Sequence, residues 1–184
     1  QIGDGQRWER EIKTAVIADF RTADMAAGGQ GAPLAPLFHV ARAPSERPVC
    51  FLNIGGVANL TWIGAAAEAG HADLFEHIRA FDTGPGGALI DDWVHRHTGE
   101  PFDWDGHLAA AGQVDAAVLA ALMDNDYFRT PPPKSLDRDA FDASPVDGLS
   151  VADGAATLTA FTVESVARAV SYLPAPPVRW LITG

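Results

Sequence analysis

An α/β fold is what this 184-residue sequence predicts, on three observations. Apolar residues make up 47% of the chain, enough for a packed core. Short runs rich in β-branched and aromatic residues, Val49–Ile54 and Val57–Ile63 above all, have the length and composition of strands. Other stretches repeat apolar residues at helical spacing, and strands alternating with helices define the α/β class.

Taken in order, Gln1–Lys13 is polar and turn-like. Thr14–Phe20, T-A-V-I-A-D-F, reads as a buried strand with Asp19 near its carboxyl end. Ligands gather beyond such strand ends in open α/β sheets, so that acid is a candidate for chemistry. A helix N-cap or an ion pair with Arg21 is its plainer use. Gly28-Gly29-Gln30-Gly31 then places three glycines in four positions, and Pro33 suits the first turn of a helix running through Ala43. Small residues before a helix start leave a concavity whose N–H groups suit an anion or sugar oxygens. No G-K-[ST] follows and no G-x-G-x-x-G occurs, so neither a P-loop nor a dinucleotide fingerprint is present.

The two apolar runs around Gly55-Gly56 predict a tight hairpin. Glycines there allow positive φ and leave N–H groups uncovered for an anion. Asn53 and Asn59 flank the turn with carboxamides that can bond a phosphate oxygen or a metal-bound water. The competing interpretation is an ordinary hairpin whose glycines serve only the turn. Ala65–Ala72 is a small-residue loop. Arg79–Asp82 reads as a short strand delivering Asp82-Thr83-Gly84-Pro85-Gly86-Gly87 to a helix over Ala88–His97. Asp82 and Thr83 can hold a metal-bound water or a hydroxyl, or merely cap the turn. Val114, Ala117, Val118, Ala121 and Leu122 mark an amphipathic helix, and Arg129–Leu149 a proline-rich ordered loop. Ser150-x-x-Asp153 is a capping box that opens a helix carrying Leu158, Phe161, Val166, Ala169, Val170 and Leu173 on one face as far as Pro174. Val178–Thr183 closes the chain as a strand.

The net charge of -11 argues against nucleic acid or an anionic membrane as partner, since both need clustered Lys and Arg. An anionic substrate must then be held by backbone amides, metal ions or a few local cations. The lone Cys50 lies in a strand, reads as a small core hydrophobe and suits a reducing compartment. None of the six histidines stands at zinc-ligand spacing, so no metal ligands are assigned. No apolar run has the length of a membrane span. The chain opens on Gln1 without methionine and stops at Trp180–Gly184, a strand with its glycine turn, so an internal fragment of a longer protein is expected.

Four segments stand in one order: A-D-F-R-x-x-D-M-A-A-G-G-Q-G-A-P-L at Ala18–Leu34, L-N-I-G-G-V-A-N-L-T at Leu52–Thr61, F-D-T-G-P-G at Phe81–Gly86, and P-P-K-S with Arg138 and Phe141 after it. Together they resemble the anhydro-N-acetylmuramic acid kinases, a family of the actin, hexokinase and heat-shock-chaperone ATPase superfamily. The resemblance implies a two-lobed, ribonuclease-H-like α/β ATPase fold present here in part. Residues 1–43 would end the N-terminal lobe, with the sugar-side loop and a connecting helix. Residues 44–184 would form most of the C-terminal lobe.

The resemblance further implies phosphorylation of O6 of 1,6-anhydro-N-acetylmuramic acid by ATP with Mg2+, while water opens the anhydro ring, in cytoplasmic peptidoglycan recycling by a homodimer. By similarity Asp19 is the catalytic base, with Asp24 the next candidate. Arg21, Asp24, Gly28, Gly29, Gln30 and Gly31 lie on the sugar side. Asn53, Gly55, Gly56, Asn59, Asp82, Thr83 and Gly84 lie on the nucleotide side, and the two sides are expected to share one crevice. Gly87 stands where the family has Asn, and Lys134–Asp139 departs from the family's loop. The first phosphate motif of the family is absent, so the fragment alone is not expected to turn over. A kinase for another sugar and a non-catalytic protein of this fold are the competing readings.

Overall fold

The runs on either side of Gly55-Gly56 form β1 (Val49–Ile54) and β2 (Val57–Ile63), paired antiparallel from Val49↔Ile63 to Ile54↔Ala58. The structure, a computed structural model, describes residues 4–29, 31, 34–67, 70 and 73–184. They fall in two compact units, one reaching Ala35 and one running from Pro36 to Gly184.

In the larger unit β3 (Ile78–Pro85) pairs antiparallel with β2, and β4 (Arg179–Thr183) lies parallel to β1, giving the order β3-β2-β1-β4. Alternation sends successive side chains to opposite faces. On one face Val49, Ile63 and Ile78 pack with Leu74 and with Val40 of α3 (Ala35–Arg42). That packing places the rest of α3 with the larger unit.

On the other face Cys50, Leu52, Leu60, Trp62 and Phe81 pack with Ala169 of α7 (Val151–Ala169). Burial pushes the Cys50 thiol up to about 12, which keeps it an inert hydrophobe. Ser150 caps the helix as the spacing requires, Asp153 N–H donating to Ser150 Oγ at 3.1 Å, but the Asp153 carboxylate accepts from the Ser150 hydroxyl at 2.7 Å and from Gln113 N–H at 2.7 Å rather than closing the reciprocal bond to the Ser150 amide. Beyond the sheet, α4 (Ala88–Thr98), the short α5 (His107–Ala111) and α6 (Ala116–Met123) gather on α7. A third core of Trp93, Val94, Leu122, Phe128, Leu158 and Phe161 lies among them.

The smaller unit departs from its sequence reading. Gly5–Ile12 is a helix, α1, because Asp4 Oδ1 caps the Arg7 N–H at 3.1 Å and Arg7 pairs with Glu11 one turn on. Thr14–Asp19 is no strand, and Ile17 is 81% exposed. A strand exists through its neighbour's hydrogen bonds, and among the described residues none pairs with this segment. Phe20–Ala26 is helix α2. No single helix among the described residues is long and apolar enough to cross a membrane.

Candidate active site

Asp19 sits at the N-cap position of α2 with φ 63 and ψ 38, a left-handed conformation that costs a non-glycine residue on the order of 1 kcal/mol. Its carboxylate caps none of the helix amides and accepts instead from the Thr22 hydroxyl. With Asp4, Gln6, Glu9 and Val16 it lines a cleft of about 590 Å³.

Arg21 and Asp24 turn the other way, onto the glycine loop. Arg21 Nε donates to the Gly31 carbonyl at 3.0 Å, and Gly31 N–H donates to Asp24 Oδ2 at 2.7 Å. Gly29 N–H bonds the Asp24 carbonyl at 2.8 Å. A Cβ on Gly29 would stand 2.2 Å from Asp24 Oδ2, so the loop is wrapped around that carboxylate and a side chain there would displace it. One oxygen of Asp24 is thereby committed to the loop, as one oxygen of Asp19 is to Thr22, and of the two acids it is Asp19 that lines the cleft. Gly28 is exposed at φ 91, and Gln30 lies outside the described residues.

In the larger unit the diglycine connection differs from a tight two-residue turn. The register Ile54↔Ala58 leaves Gly55, Gly56 and Val57 between the paired residues, and neither glycine has positive φ. A Cβ on Gly55 would come no nearer than 3.6 Å to its surroundings, and the same holds for Gly56. Neither backbone strain nor packing therefore demands glycine at either position. The turn is held from behind: Gly87 N–H donates to the Gly55 carbonyl at 2.7 Å and Gly86 N–H to the Gly56 carbonyl at 3.0 Å. These amides stand just ahead of α4, which has no side-chain cap and whose first amide, that of Ala88, also donates to the Gly56 carbonyl at 3.4 Å. Among the described residues no backbone acceptor takes the amides of Gly55 and Gly56.

Asn53 and Asn59 face each other across β1 and β2, Asp82 follows opposite Asn59 on β3, and Thr183 stands opposite Asn53 on β4. All four lie on the face that carries Val49 and Ile63, so its turn-proximal end is a polar row and its far end apolar. The parallel register of β4 is what brings Thr183 beside Asn53. Between the two zones His39 approaches Thr61 Oγ1 through Nδ1 at 2.9 Å and stacks on Phe51 at 4.5 Å. Burial holds its imidazole below the ordinary histidine value.

Thr83 and Gly84 face inward. Thr83, 1% exposed, occupies the irregularity in the β2–β3 register and donates to the Ala58 carbonyl at 3.2 Å. Gly84 packs on Ser165 and Phe128. Among the described residues no three His, Cys, Asp or Glu side chains converge as a metal ligand set.

Asp82 is half-buried, and burial raises its carboxyl above the usual range, while the Leu136 N–H bond at 2.7 Å pulls part of the way back. With the folded value above the unfolded one, any stabilisation is present below the unfolded pKa and is lost as pH rises through the folded value. Asp82→Asn is therefore expected to melt higher than wild type at neutral pH, with the gain vanishing in acid. Thermal melts of the two proteins across pH check this, and an unchanged or lower melting temperature at pH 7 would contradict it.

The family model described as anhydro-N-acetylmuramic acid kinase matches residues 1–184. The chain belongs to the anhydro-N-acetylmuramic acid kinase family. Curated relatives bearing that name agree along the whole chain: one from Rhodospirillum rubrum is 56% identical, one from Rhizorhabdus wittichii 56% and one from Methylobacterium nodulans 54%. The match covers all of this chain and 47%, 48% and 48% of those proteins, so the chain spans about half the length of the curated relatives it matches. Its mixed α/β architecture, with the four-stranded sheet in the larger unit, accordingly represents part of the actin- and hexokinase-like fold expected of this kinase family.

Proposed function

We propose that the full-length protein is a carbohydrate kinase that phosphorylates O6 of 1,6-anhydro-N-acetylmuramic acid and opens its anhydro ring with water, yielding the 6-phosphate. The observation that carries this reading is the pair of glycines at the β1–β2 turn. Their φ angles and surroundings would accept side chains, yet two bare amides stand there. Close approach of a ligand remains as the reason for glycine, and paired backbone amides suit a phosphate.

ATP, with Mg2+ neutralising its phosphates, would supply the phosphoryl group. The amides of Gly55 and Gly56 would bind its phosphates, and the carboxamides of Asn53 and Asn59 with the Asp82 carboxylate would hold them or their hydration in register. Thr83 and Gly84 would shape the strand behind them. Asp19 would take a proton from the water that attacks the anomeric carbon, a general base's work. Arg21, Asp24 and the loop Gly28, Gly29, Gln30 and Gly31 would shape the sugar side. This assigns residues 1–43 to the N-terminal lobe and 44–184 to the C-terminal one, in a cytoplasmic homodimer that serves peptidoglycan recycling.

Gly55→Ala and Gly56→Ala in the full-length protein test the reading. Both should fold with unchanged or slightly higher melting temperature, because alanine restricts the unfolded chain. Their KM for ATP should rise about tenfold or more, a cost of about 1.4 kcal/mol in binding. An unchanged KM for ATP would remove the turn from the site. Running the same coupled assay with glucose and N-acetylglucosamine beside the anhydro sugar separates this kinase from one for another sugar, and nucleotide binding without turnover would mark a non-catalytic protein.

A further inference from the structure

Lys134 is 9% exposed, and removing an ammonium from water costs several kcal/mol unless its surroundings replace the solvent. Its Nζ donates to the Tyr127 carbonyl at 3.0 Å. The same atom lies 4.4 Å from the centroid of the Tyr127 ring, 4.7 Å from that of Tyr172 and 5.9 Å from that of Phe81. Among the described residues no carboxylate forms an ion pair with it. Three aromatic faces and one carbonyl take the place of water, a cage suited to a cation.

The segment that this cation anchors makes the hydrogen bonds that reach Asp82 from outside the sheet. Asp82 N–H donates to the Lys134 carbonyl at 3.2 Å. Leu136 N–H donates to Asp82 Oδ2 at 2.7 Å, and the Tyr127 hydroxyl donates to the Asp82 carbonyl at 2.5 Å. The amide, the carbonyl and one carboxylate oxygen of Asp82 are thus engaged along the outer edge of β3. On the loop's far side Arg138 reaches Asp92 of α4 at 2.7 Å, so the segment is tethered beyond Lys134 as well.

We infer that Lys134 is a positioning residue, whose caged ammonium fastens the Pro131–Leu136 loop to Tyr127 and the β3 edge and thereby sets the Asp82 carboxylate in the polar row. The inference rests on the reading of Asp82 as a nucleotide-side residue. It assigns a role to the proline-rich loop, for which the sequence offered none. A lysine that only filled space would be replaced without functional cost by methionine, which keeps the length and loses the charge and the donor.

The test is a double-mutant cycle in the full-length protein with Lys134→Met, Asp82→Asn and the pair, together with amide hydrogen exchange. Each single change should lower kcat/KM about tenfold or more, and the pair should lose no more than about twofold beyond the worse single variant, because groups acting through one another are not additive. The Leu136 amide should exchange faster in Lys134→Met while the amides of α7 keep their protection. Additive losses, or a Leu136 amide as protected as in wild type, would overturn the inference and leave the site reading standing. Asp82→Asn at wild-type kcat/KM would instead take down the site reading, and the inference with it. Lys134→Gln, which keeps a donor for the Tyr127 carbonyl, enters the same cycle if the methionine variant does not fold.

Discussion

Asp19→Asn in the full-length protein is expected to lower kcat by about 10²–10⁴-fold, the usual worth of a positioned general base, while nucleotide affinity stays near wild type. The substitution isolates the carboxylate because of where Asp19 sits. At φ 63 and ψ 38 most side chains would strain the backbone, whereas Asn tolerates the left-handed region as readily as Asp does. Its carboxamide oxygen can still accept from the Thr22 hydroxyl that now binds the carboxylate. Shape, backbone and local hydrogen bond are therefore retained, and only the capacity to take a proton is lost. Steady-state kinetics with a nucleotide-binding titration read the result. A kcat within about threefold of wild type, where a base is worth at least a hundredfold, would pass the role to another group. Asp24 is then the next acid to substitute, although its bond to Gly31 N–H already commits one oxygen to the glycine loop.

What the sequence made legible follows from the range of the forces involved. The β1–β2 pair, the N-cap at Ser150 and the helix after Gly87 depend on neighbours a few residues away, and each stands where its local pattern places it. Thr14–Asp19 has a strand's composition without a partner strand among the described residues, and composition cannot supply one. α1 is hard to read from sequence because its support is a capping Asp4 and one ion pair, and its apolar face consists of Trp8 and Ile12 alone, both exposed.

The candidate site divides in the same way. Asn53 and Asn59 were found because they flank a visible turn. The neighbours of Thr183 and Lys134 are not legible in the sequence, since one depends on the parallel register of β4 and the other on a cage drawn from Phe81, Tyr127 and Tyr172. The glycines at 55 and 56 stand out in the sequence partly for a conformational reason that the structure does not bear out. Positive φ was the expected justification, and the absence of any such strain is what strengthens the functional reading.

Gly86→Ala and Gly87→Ala, one residue apart, are expected to move stability in opposite directions. A Cβ on Gly86 would lie 2.0 Å from the Gly55 carbonyl oxygen and 3.0 Å from its carbon, so backbone atoms rather than a side-chain tip would have to give way. Overpacking of this kind costs about 1–3 kcal/mol and occasionally more. Relief is blocked on the other side too, because Thr162 Oγ1 of α7 donates to the Gly86 carbonyl at 2.9 Å. The compliant partner is the turn, whose carbonyls are fastened to Gly86 and Gly87, so the diglycine amides should shift as well. Gly86→Ala should then melt well below wild type and, where folded, bind ATP more weakly. At Gly87 the nearest atom to a Cβ is the Gly55 oxygen at 3.7 Å, and φ -79 with ψ -17 suits any residue. Gly87→Ala should raise stability by about 0.4–1 kcal/mol through the unfolded chain alone and leave the KM for ATP unchanged. Chemical denaturation with ATP kinetics on both variants reads the contrast. Equal stability of the two would show that the α4 start and the turn are not in contact as described, and would sever the link between the F-D-T-G-P-G segment and the phosphate site.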